Sequence, residues 1–205
     1  MRRSTRFNVA VLTGTLAVLG TGGMVAFAGG GDRDDDEGRR VVRALATVEG
    51  PSGSGIEGTV RFVERAADRL APTPPVLVVA RIKGLTPGKH GFHIHQRGVC
   101  EPPFDSAGGH FDPGPFGNST PVDQNHPYHL GDLPNLRARA NGVGRLRAVT
   151  SRITLSPGPL TILDGDGSAI VVHLNEDRGQ PGVTGASGGA RIACGVIRPV
   201  ERDDD

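Results

Sequence analysis

Tryptophan is missing from this sequence, tyrosine occurs once, and aromatic residues make up only 4% of it. A core large enough for one domain must therefore be built from aliphatic side chains. Charge of one sign is not in excess either: 23 basic and 22 acidic residues leave a formal net charge of +1. That balance excludes a global field for nucleic acid or an anionic membrane, so any attraction for an anion has to be local. Cysteine is scarce, with only Cys100 and Cys194. Beyond residue 28, no stretch keeps a helical period.

Glycine (32) and proline (16) are plentiful and lie between short Val/Ile/Leu-rich runs. Such spacing favours many turns between short strands. Val42, Ala44, Ala46 and Val48 share one face of a first strand, with Arg43, Thr47 and Glu49 on the other. Further strands are expected at 56–63, 76–83, 91–95, 143–149, 153–155, 169–174 and 191–197. About eight short strands make the domain all-β, a sandwich or a closed barrel.

The ends read differently. Arg2, Arg3 and Arg6 precede the apolar run 9–19, and Ala26-Phe27-Ala28 offers small residues for cleavage. This is the layout of a secretory signal peptide over residues 1–28; Gly20, Gly22 and Gly23 weaken the alternative of an uncleaved membrane anchor. Residues 29–40 form a disordered charged linker, 41–199 the folded domain and 200–205 a charged tail. The expectation is a secreted protein, periplasmic or extracellular, with no membrane contact after cleavage. In such a compartment an isolated cysteine pair is most simply a disulfide, two buried thiols being the alternative.

All seven histidines fall between His90 and His173. A strand through His93-x-His95 puts both imidazoles on one face, about 7 Å apart and close enough to share a metal ion. His173 ends the apolar run 169–172. Residues 101–141 lack an apolar pattern yet hold His110, Asp112, His126, His129 and Asp132. A loop of that length is usually functional or disordered, and metal ligation would order it. Other motifs are set aside. Gly185-Ala186-Ser187-Gly188-Gly189 matches a hydrolase elbow, but no helix follows. The Asp164-Gly165-Asp166-Gly167 loop has Asn175 where a calcium loop needs Glu.

Five segments occur in the order and spacing of copper–zinc superoxide dismutases: Gly91-Phe92-His93-Ile94-His95, Ser106-Ala107-Gly108-Gly109-His110-Phe111, His129-Leu130-Gly131-Asp132-Leu133, Val171-Val172-His173 and Gly189-Ala190-Arg191-Ile192-Ala193-Cys194-Gly195-Val196-Ile197. Over residues 41–197 the chain resembles that family. The resemblance implies an eight-stranded Greek-key barrel with long metal-binding and active-site loops, superoxide as substrate, copper and zinc as cofactors, and room for a homodimer. It implies that His93, His95, His110 and His173 hold copper, and that His110, His129 and Asp132 hold zinc. His110 would also carry a proton, and Arg191 would dock superoxide. Cys100 and Cys194 match the family's disulfide. His90 matches a residue behind the copper-site backbone, and Asp177 one that links ligand histidines of the two metals.

Two departures stand out. Asn118 and Ser119 occupy the positions where the family has a further zinc-binding histidine, so His126 is the expected substitute. The loop between Asp177 and Arg191 is short, with Arg178 as its only charge, which leaves anion steering to Arg191 and the metal. The rival expectation is a dismutase-like domain that binds copper and zinc without turnover.

Overall fold

Apolar–polar alternation sets the strands. In β1 (Val42–Glu49), Ala44, Ala46 and Val48 are buried while Arg43, Thr47 and Glu49 face solvent, as in a sheet with one wet face. The computed structural model describes residues 41–65, 73–114, 128–180 and 182–200. It continues with β2 (Glu57–Glu64), β3 (Val76–Lys83), β4 (Gly88–His90), β5 (Phe92–His95), β6 (Leu136–Ala138), β7 (Gly144–Thr150), β8 (Ser168–His173) and β9 (Arg191–Pro199). The ladders are antiparallel, in the order β4-β6-β7-β3-β2-β1-β9-β8-β5. Only Gly91 separates β4 from β5, so the two ends of the ladder meet and the sheet forms a nearly closed barrel. Among the described residues the one helical element is a 3-10 turn at Asp105–Ala107.

The all-β expectation holds, with nine strands instead of eight. The run expected at 91–95 is the second half of a longer strand that breaks at Gly91, where a Cβ would meet the Ser187 carbonyl oxygen at 2.7 Å. β6 is too short for a period to register in the sequence. Residues 153–155 form no named strand; Thr154 makes an isolated bridge to Thr161. That segment is tied instead to the end of β2, where the buried Glu64 carboxylate accepts hydrogen bonds from the backbone of Leu155 and Ser156 and from the Ser156 hydroxyl.

Phe62, Ile82, Phe92, Ile94, Leu136 and Ile170 are fully buried at the centre of the barrel. Each is worth roughly 1.5–3 kcal/mol of transfer free energy. Two strands break the half-wet pattern: all four residues of β5 and all six of β8 are buried. Phe92 and Ile94 point into the core, so His93 and His95 lie on the outer face, roofed by the loops that follow. On this roofed patch His93 pairs with Val171 and His95 with Ala169.

Candidate metal centre

His93 and His95 project two residues apart from β5, and His173 ends β8 at a bulge between Val172 and His173. The long loop after β5 is pinned to that strand by isolated bridges from His110 to His95 and from Asp132 to His93. Backbone bonds from Ile94 to Gly131 (2.9 Å) and from Phe111 to Ile94 (2.8 Å) close the loop over it. The result is two groups of converging side chains. His93, His95, His110 and His173 each offer a ligand atom, all within 4.8 Å of one another. His110, His129 and Asp132 form a second such group, so His110 belongs to both. Ring centroids lie 4.2 Å apart for His93–His110, 4.9 Å for His93–His173 and 4.9 Å for His95–His110.

Each ring is held from behind. His95 Nδ1 donates to the Gly108 carbonyl at 2.9 Å and His173 Nδ1 to the Gly189 carbonyl at 2.8 Å. His93 Nε2 meets Asp177 Oδ2 at 2.9 Å, and His110 Nδ1 meets Asp132 Oδ1 at 2.6 Å. His129 Nδ1 lies 3.2 Å from Asp132 Oδ2. His90 donates from Nδ1 to the His173 carbonyl at 2.8 Å, fixing the backbone at that histidine.

These bonds set the tautomers. A ring that donates from Nδ1 to a carbonyl keeps a lone pair on Nε2 when neutral. In both His95 and His173 that Nε2 is buried and has no hydrogen-bond partner. An unsatisfied buried polar atom costs about 1–3 kcal/mol, and two convergent lone pairs are what a metal cation would satisfy. Burial also keeps the rings neutral. Desolvation, with His110 and Arg191 adding, holds His95 well below the ordinary histidine value of 6.5. Desolvation and then His93 push His110 down to about 3, against the opposing pull of Asp132. His173 is pushed down to about 3 by the same two causes in the same order. Neutral imidazoles suit copper in both oxidation states, and the mixed His/Asp group suits zinc. The donor sets fit both metals.

Arg191, at the start of β9, donates from Nη1 to the Phe104 carbonyl and from Nη2 to the Gly108 carbonyl, both at 2.7 Å. Gly108 thus accepts from both Arg191 and His95. Desolvation lowers the guanidinium's pKa from its usual value and Asp105 opposes it; the group stays cationic. Phe104 sits at φ 75°, a left-handed conformation costing about 1–3 kcal/mol in a non-glycine residue. A Cys100–Cys194 disulfide, Cα–Cα 5.6 Å, ties this loop to β9 three residues beyond Arg191.

The structure therefore brings together His90, His93, His95, His110, His129, Asp132, His173, Asp177 and Arg191. His126, Asn118 and Ser119 lie outside the described residues, as do the signal peptide, the linker and residues 201–205. Two participants escaped the sequence reading. Asn135 clamps Asp177 from both sides: its Nδ2 donates to the Asp177 carbonyl and its Oδ1 accepts from the Asp177 N–H, each at 2.8 Å. Arg152 donates to the His129 carbonyl. Their only signal was polarity, which does not distinguish them from other loop residues.

The chain is similar to known proteins. The copper/zinc superoxide dismutase family matches residues 56–197. A "Superoxide dismutase [Cu-Zn] 2" of Mesembryanthemum crystallinum is 36% identical over 162 residues, covering 77% of this chain and 95% of that protein.

Proposed function

The chain belongs to the copper/zinc superoxide dismutase family, an oxidoreductase with copper and zinc as cofactors, and from that premise we propose how its residues divide the work. His93, His95, His110 and His173 hold copper. His110, His129 and Asp132 hold zinc, with His126 as the fourth ligand. When bound, copper supplies a one-electron couple, by which two superoxides and two protons become one oxygen and one hydrogen peroxide, beside a redox-silent zinc.

The protein's own residues do the rest. Arg191 attracts and docks the anion: its two carbonyl bonds fix the guanidinium plane and leave further N–H donors for superoxide. His110, shared by both groups, carries a proton at the ring nitrogen that does not face Asp132. Asp177, clamped by Asn135, holds His93 in one orientation. The signal-peptide layout of residues 1–28 supports export of the barrel, where the disulfide would persist.

The observation that carries this division is the convergence of four buried imidazoles, one of them shared with an acidic zinc-type group. His173→Ala tests it. The variant should stay folded, lose copper and lose dismutation; near-normal activity at full purity would refute the assignment.

A further inference from the structure

Ile153 and Leu155 are buried, so the segment after β7 enters the core and leaves Arg152 half-buried at its edge. That segment is firmly held. The Glu64 carboxylate at the end of β2 accepts from the N–H groups of Leu155 and Ser156. Thr154 donates its N–H to the Leu160 carbonyl at 2.8 Å and accepts the Ile162 N–H at 3.0 Å. The Arg152 N–H itself donates to the Thr150 hydroxyl at 3.1 Å. Arg152 therefore projects from a fixed base.

Its guanidinium meets no carboxylate among the described residues; it donates to the carbonyl of His129. That carbonyl also accepts the Asp132 N–H at 3.2 Å, and the Asp132 carboxylate accepts the His129 N–H at 3.1 Å. Together these bonds close a turn whose first and last residues are His129 and Asp132, two of the three side chains that converge in the second group. A carbonyl oxygen has two lone pairs, and here one closes the turn while the other takes a charged donor from another part of the chain. Gly131 is bonded to Phe111 and Ile94, which holds the later half of the turn. Arg152 holds its first residue.

We propose that Arg152 is a positioning residue for the second group, locking the 129–132 turn so that His129 and Asp132 face one zinc ion. This rests on the reading of His110, His129 and Asp132 as the zinc site. The guanidinium has two opposed effects. As a cation it repels a dication and lowers zinc affinity. As a bracket it removes conformations that the turn would otherwise lose on binding, which raises affinity. The two effects predict opposite outcomes when the charge is removed, and the bond to the turn's own carbonyl makes the bracket the larger of them.

The test uses the full chain with copper held as colourless copper(I), in wild-type, Arg152→Lys and Arg152→Gln forms. Zinc affinity is measured by competition with a chromophoric chelator, and the geometry of the second group by the visible bands of cobalt(II) bound there. Arg152→Gln should weaken zinc binding by about tenfold or more and shift the cobalt bands. Arg152→Lys, which can still donate to the carbonyl, should recover part of both. Zinc binding in Arg152→Gln as tight as in the wild type, or tighter, would overturn the proposal, as would a loss with unchanged cobalt bands and no recovery in Arg152→Lys. A wild-type chain that takes up neither zinc nor cobalt would overturn the reading of the group as a zinc site, and the proposal with it.

Discussion

Replacing Arg191 separates its two roles, because one side chain both fastens a loop and presents a charge. Its bonds to the Phe104 and Gly108 carbonyls are charge-assisted and short, 2.7 Å each. Bonds of this kind are worth about 1.5–3 kcal/mol each when fully buried. Gly108 is only partly buried, so water replaces some of the loss. Arg191→Gln should then cost about 1–3 kcal/mol, which for a domain of this size lowers the melting temperature by about 3–10 °C. His95 shares the Gly108 carbonyl, so the same change loosens one ring of the proposed copper site. On the kinetic side, a local cation beside a site for a small anion raises its capture rate by about 10- to 1,000-fold. The rate of superoxide consumption should fall in the order Arg, Lys, Gln, Glu at position 191. Lys keeps the charge but not the two-pronged grip. Stopped-flow or pulse-radiolysis rates across ionic strength would show it: the wild-type rate should fall with salt, and that of Arg191→Glu should rise. Equal rates for the Lys and Glu variants, or the same salt dependence in both, would refute a docking role.

Reducing the Cys100–Cys194 bond opens a loop spanning 94 residues and should cost roughly 4–5 kcal/mol in the chain-entropy model. Activity should drop with it, because the Phe104–Gly108 acceptors of Arg191 lose their tether; denaturant titration and rates with and without a thiol reductant check both. His126→Ala should lower zinc occupancy while copper is largely kept, measured by competition with a chelator; unchanged zinc affinity would remove His126 from the site. His95, His110 and His173 titrate below 6.5 in the folded chain, the latter two at about 3. The unfolded chain therefore binds more protons between those limits, and stability rises with pH there. The metal-free protein should be fully stabilised above about pH 6.5 and weaken steadily as pH falls towards 3. A flat stability profile from pH 7 to 4 would contradict the buried neutral rings.

Much of the barrel was legible because long strands announce themselves. The run 76–83 coincides with β3, and the alternation of Ala44, Ala46 and Val48 is the buried face of β1. β4 and β6, three residues each, carry too little pattern to be seen. That His93 and His95 share one face was legible from their spacing on a strand, while the convergence of His110, His129 and Asp132 with them rested on motif resemblance, since a loop has no period to project from. The carbonyls of Phe104, Gly108 and Gly189, which orient Arg191, His95 and His173, have no sequence signature at all. Backbone acceptors acquire a role only when the chain folds.

We propose that the four-histidine group holds a copper that turns over superoxide. Its most direct test is steady-state superoxide consumption by the purified, metal-analysed protein, before chelation, after chelation, and after copper alone is restored. Copper and zinc should each be present at one per chain, and activity should vanish with the copper and return with it. A protein that binds copper at these histidines yet consumes superoxide no faster than the chelated chain would be a metal-binding domain, and the catalytic account would fail.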